Sequence, residues 1–197
     1  MANIVIEPQT IQYDNGRGAL TPWGSANTRY KYNAWVSFYS CPGHGGFKVN
    51  KPANQRIPAP LRNEDGWYEE DCESYIPLFF FGLDSDSDRM RNGIKQWFPH
   101  QWEAFSGEKV SAEESNVIAR EEFQEAHRVD WVTLAAWGSW ADWVPDGMVG
   151  VNASRGGTRN RDQEERYFLI PKDEYDTRSQ FGFVVDVNRH QEVKRTI

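Results

Sequence analysis

Cysteine is scarce. Cys41 and Cys72 are the two thiols in 197 residues, too few for a disulfide framework, so a reducing, cytoplasmic setting is expected. Long apolar runs are also missing. The longest, Ile76 to Gly82, is interrupted by Pro77 and falls far short of the ~20 residues that a membrane-crossing helix needs. The opening MANIVIEPQTIQY has no basic region, no useful apolar run and no small-residue cleavage site, so no signal peptide and no membrane partner are expected. Walker, dinucleotide-binding and nucleophile-elbow motifs are absent, as are internal repeats. Positive charge is in deficit: 22 Lys and Arg stand against 29 Asp and Glu, a formal charge of −7. Such a chain repels phosphate backbone, which argues against generic DNA coating and leaves basic partners open.

Aromatic side chains are what the sequence has in plenty. Nine Trp, eight Tyr and eleven Phe bring the aromatic share to 14% while the apolar share is only 39%, so a few large rings must do much of the burying. Trp residues that reach the surface are candidate anchors for a partner. The length suits one domain, 1–197, able to bury roughly 70% of its unfolded surface without disulfides or a structural metal.

Periodicity predicts an α+β fold: a mainly antiparallel sheet with a helical insertion, residues 84–128, between N-terminal and C-terminal strands. In Tyr32 to Ser40, Ala34, Val36 and Phe38 alternate with Trp35, Ser37 and Tyr39, the pattern of a strand with one aliphatic and one aromatic face. The turn residues of Cys41 to Gly46 then predict a hairpin. Lys51 to Asp65 is proline-rich and reads as a long surface connection. Helices are expected from an Asp84, Ser85 or Asp86 cap through Trp97, from Pro99 through Phe105, and from a Ser111/Glu114 capping box to about Arg128. Strands follow at Trp131 to Trp137, Met148 to Ala153, Arg166 to Ile170 and Phe181 to Val187, the last central in the core. Phe181, Phe183, Val185, Leu169, Phe123 and either Trp35 or Val36 are the expected core residues.

Three clusters have the residue types for chemistry. Cys41 and His44 have a spacing that lets two ligands reach one ion from a tight turn, with Cys72 as a possible third and His100, His127 or an acid needed to complete the set. That set is one ligand short, so no bound metal or other cofactor is expected. His44 facing Glu69, Glu70, Asp71 or Glu73 would instead be an acid/base site, although this acidic run also reads as the solvated start of a helix, around which the acids would spread. Finally, Arg155, Arg159, Arg161 and Arg166 surround a Gly-Gly pair in a loop expected to be mobile, where guanidiniums can grip phosphate or carboxylate. Asp84, Asp86 and Asp88 copy the opening of a calcium loop, but Arg89 and Lys95 occupy its glycine and bidentate-Glu positions, so helix capping is expected there.

The strings CPGHGGFKV, GWYEEDCE, AAWGSWADWVPDGMVGV, RYFLIPKDEY and FGFVVD resemble an uncharacterised domain family of phages, plasmids and actinobacterial mobile elements, over roughly residues 35–186. The resemblance implies no catalytic residue. It implies a context, a host-cell cytoplasm, in which small acidic proteins act as accessory or anti-defence factors. The expected function is therefore a non-enzymatic protein that occludes a host protein or nucleoprotein complex, an anti-CRISPR-like inhibitor being one form. The alternatives are a metal-assisted or acid/base enzyme centred on His44 and Glu69 to Glu73, and a structural or assembly protein.

Overall fold

The computed structural model describes residues 9–13 and 18–194; residues 1–8 of the N-terminal stretch read above lie outside it. The chain divides into two compact units, 1–118 and 119–197. The fold is α+β, as expected, with antiparallel sheets.

The first unit opens with β1 (Gln9–Gln12), the short pair β2 (Leu20–Thr21) and β3 (Gly24–Ser25), β4 (Thr28–Lys31), β5 (Val36–Cys41) and β6 (His44–Val49). Helix α1 (Lys51–Asn54), β7 (Trp67–Glu69), α2 (Tyr75–Phe80), α3 (Ser87–Trp97) and α4 (Pro99–Ser106) follow. Its sheet has the order β1-β4-β5-β6-β7, antiparallel throughout. The β5–β6 hairpin turns on Pro42-Gly43, with Gly43 at φ 85°, a conformation that only glycine adopts without strain. Strand alternation then sorts the side chains. Val36, Phe38, Phe47, Val49 and Tyr68 point into a core with Ile57, Leu61, Ile76, Ile94 and Trp102.

Lys51 to Asp65 is more than a surface connection. It folds as α1 and a 3₁₀ turn at Ala59–Leu61, and it buries Ala53, Asn54, Ile57 and Leu61. The apolar side chains between its prolines outweigh the loop signal. Tyr68 donates to Asn54 Oδ1 at 2.7 Å beneath this segment, and burial pushes its hydroxyl up to about 12, so it stays a donor. Asp86 caps α3 by accepting from the Arg89 N–H, Asp84 holds the Arg89 guanidinium and Asp88 pairs with Arg91, so one cap and two local ion pairs account for the acidic triplet.

The division falls within α5 (Asn116–Ala126). This helix starts later than expected because Ser111 and Glu114 close the preceding turn, while the Ser115 hydroxyl accepts from the Val117 N–H. The second unit then holds β8 (Trp131–Trp137), β9 (Met148–Arg155), β10 (Glu165–Pro171), α6 (Lys172–Tyr175), β11 (Val184–Val185) and β12 (Gln191–Val193). Its sheet order is β11-β8-β9-β10-β12. Trp131, Val151, Ala153, Phe168, Ile170 and Val185 make its core.

Two expectations are corrected. In place of one sheet holding both the N-terminal and the C-terminal strands, each group forms a five-stranded sheet of its own among the described residues, with β4-β5-β6-β7 and β8-β9-β10 pairing in chain order. The run Phe181 to Val187 is not a central strand. Gly182, at φ 127°, breaks it and bridges back to Ser179, Val184–Val185 alone joins the sheet, at its edge, and Val187 is exposed. Of the expected core, Val36, Leu169 and Val185 are buried. Phe123, Phe181 and Phe183 are half-buried and Trp35 is exposed.

Candidate cation site and its surroundings

The outer face of the first sheet carries the aromatic side of the alternation. Tyr39 and Trp67 lie 5.2 Å apart ring to ring, Arg29 stands over Tyr39, Lys48 over Trp67, and Trp23 meets Trp67 edge-on at 5.7 Å. Gly46 belongs to this face. A Cβ there would come within 2.2 Å of the Trp23 ring, so the missing side chain lets the indole lie on the sheet.

His44 opens β6 and Glu69 closes β7. Because Gly46 pairs with Glu69, and His44 is two residues from Gly46, His44 and Glu69 share this outer face. His44 Nδ1 is 4.0 Å from Glu69 Oε1. Glu70 adds a third ligand atom, and the three lie within 4.8 Å of one another. Gly45 makes room for that third group, since a Cβ there would meet Glu70 Oε2 at 2.6 Å.

The neighbouring hydrogen bonds hold this arrangement in place. Glu69 Oε2 accepts from the backbone N–H of Asp71 at 2.7 Å and of Cys72 at 3.4 Å. That leaves Oε1 turned toward His44, shielded from solvent and without a hydrogen-bond partner. A shielded carboxylate oxygen left unpaired is costly, and an ion is one of the groups that resolves such a position. Ligands about 2.1 Å from one ion stand roughly 3–4 Å apart, so small rotamer changes close the observed gaps.

The remaining acids of the run do other work. Glu73 Oε2 accepts from the Asn63 side chain and from the Glu69 N–H, both at 2.9 Å, and so fixes the strand end. Asp71 is exposed. The helix start expected here is instead a strand followed by turns. This is why two of the acids converge on His44 when helical spacing would have spread them.

The cysteines do not join the cluster. Cys41 is buried, with its sulfur 3.2 Å from Thr21 Oγ1. Burial and then the charges of Glu69, Asp71 and Glu73 raise the Cys72 thiol, which keeps it protonated and a poor ligand. His127 pairs with Asp130 at 2.9 Å.

Most of the arginine loop is engaged locally. Arg155 stacks 4.4 Å from the Trp131 ring and donates to Val129 O, and Arg166 stacks on the same ring at 4.7 Å and pairs with Glu164. Arg159 donates to Leu134 O at 2.7 Å. Arg161 is exposed.

Sequence reasoning missed the Trp23–Trp67 corner. The signal was available in the alternation of Trp67 and Glu69 about Tyr68, once GWYEE is read as a strand.

Comparison with known proteins places this site inside a family. The family described as Domain of unknown function (DUF7007) matches residues 16–128, more than half of the chain, and the chain belongs to it. The match takes in the cation cluster and stops before the strings of the second unit that carried the resemblance. No curated protein and no solved structure matches the chain.

Proposed function

We propose that this member of the DUF7007 family binds a divalent cation through His44, Glu69 and Glu70, and that this centre supports metal-assisted chemistry. The observation that carries the reading is Glu69 Oε1, shielded and accepting no hydrogen bond, 4.0 Å from the His44 imidazole with Glu70 in reach. One imidazole and two carboxylates suit Zn²⁺ or Mn²⁺ better than the all-oxygen preference of Ca²⁺ or Mg²⁺. Three protein ligands would leave coordination positions open on such an ion, whose chemistry would be to acidify a water or polarise a substrate oxygen. Isothermal titration with Zn²⁺ tests this. One ion per chain is expected, with His44→Ala and Glu69→Gln each weakening binding about tenfold or more, while Asp71→Asn changes it little. Absence of a saturable site, or equal affinity in Glu69→Gln, overturns the reading.

A second reading is that the chain acts by occluding a host protein or nucleoprotein complex in a phage or mobile-element setting. Trp140, 76% exposed on the loop after β8, favours it, because an exposed indole is a ready interface anchor. In an assay of host-defence inhibition, Trp140→Ala is then expected to lose most of the effect. Undiminished inhibition by that variant contradicts an anchor role.

A further inference from the structure

Beside the cation cluster, the first unit carries an open groove of about 650 Å³. Its walls combine two indoles, Trp23 and Trp67, with the carboxylates of Glu64, Asp65, Glu69 and Glu73, and Arg62 is the one basic residue among the lining residues. That guanidinium is turned toward the Gln55 side chain, 3.0 Å away. The two ring planes stand at 87°, so they form a corner that offers π faces in two directions. A cation is attracted to such faces, and the carboxylates at the rim add to the attraction.

The chain itself shows how a cation sits here. Lys48 Nζ lies 5.0 Å from the Trp67 ring centre and donates to the Asp65 carbonyl. An incoming ammonium or guanidinium finds the same chemistry in the part of the corner that faces the groove. Glu64 and Asp65 are exposed beside it. Phosphate-bearing ligands are repelled by this rim, and a neutral apolar ligand leaves its charge unused.

We infer that the groove binds a basic peptide segment of a partner protein, one Lys or Arg side chain entering the Trp23–Trp67 corner while its neighbours face Glu64 and Asp65. This goes beyond the cation reading and does not depend on it: Glu69 is common to both, but an ion held by His44, Glu69 and Glu70 leaves Glu64, Asp65, Glu73 and both indoles of the groove in place.

The test is fluorescence polarisation of labelled Lys-rich, Arg-rich and Glu-rich octapeptides with the full chain, at low and at physiological salt. The basic peptides are expected to bind, more weakly as salt rises, and the acidic one not at all. Glu64→Lys and Trp23→Ala are each expected to weaken binding about fivefold or more. Glu113→Lys makes the same change in net charge at an exposed position outside the groove and is expected to weaken it less than about twofold. Because Trp23 packs over Gly46, circular dichroism accompanies that variant, and Glu64→Lys decides the matter if Trp23→Ala misfolds. Absence of binding overturns the inference. So does an equal loss in Glu113→Lys and Glu64→Lys, which reduces the effect to net charge, or full binding by a folded Trp23→Ala.

Discussion

Among single residues, Lys95 is the clearest case of charge used inside the fold. Its side chain is 6% exposed, and its ammonium meets Glu108 at 2.7 Å and Glu114 at 2.9 Å. The Glu108 hydrogen bond is the main reason that Lys95 holds its proton more firmly than usual. In return, Lys95 is the first cause of the lowered Glu108, while Glu114 is lowered first by the Ser111 N–H and then by Lys95. Carboxylates lowered in the folded state contribute stability above the unfolded range near 4, and that contribution is lost as pH falls through their folded values. Melting temperature is therefore expected to drop steeply below about pH 4. In Lys95→Met the drop is shallower, because both acids lose the ammonium. Identical slopes in the two proteins contradict this role. Sequence alone did not pair Lys95 with these acids, since the partners are 13 and 19 positions away and come together only through the turn that precedes α5. His44 was legible because glycines bracket it in a turn. Which acids it faces depended on whether GWYEE was strand or helix.

Among elements, the contact of α3 with α2 turns on Gly93. A Cβ there would come within 2.3 Å of the Tyr75 ring, so the absent side chain sets how closely the two helices pack. Replacing a mid-helix glycine by alanine ordinarily stabilises by ~1 kcal/mol. Here the steric cost, about 1–3 kcal/mol for overpacking, is expected to win. Gly93→Ala should lower stability in chemical denaturation, and a more stable variant would show that the ring moves aside freely. Elements of this kind were well marked in the sequence where caps and turns coincide with periodicity: α4 from Pro99, β8 over Trp131–Trp137 and the turn at Pro145 to Gly147 all stand where expected. Strand partners were not marked. Alternation in Phe181 to Val187 identifies apolar positions, but Gly182 and the Asp186–His190 turn, in which His190 Nδ1 accepts from the Asp186 N–H, end the strand after two residues.

For the molecule as a whole, a charge of −7 reads most simply as exclusion of nucleic acid. The arrangement of that charge says more. On the first unit, acids cluster against half-buried aromatic rings and a histidine, so the two proposed sites, one for a metal ion and one for a basic segment, are neighbours inside the span matched by the DUF7007 family. The central claim is that the ion site is specific to the His44, Glu69 and Glu70 arrangement and not a property of acidic surface in general. Amide NMR spectra during Mn²⁺ addition test it most directly, since the paramagnetic ion broadens signals near the place where it binds. At substoichiometric Mn²⁺ the account predicts loss of the His44, Gly45, Glu69 and Glu70 amide signals, while those of exposed acids elsewhere, such as Glu113 and Glu122, persist. Broadening spread evenly over the acidic residues, or none around His44, would contradict it.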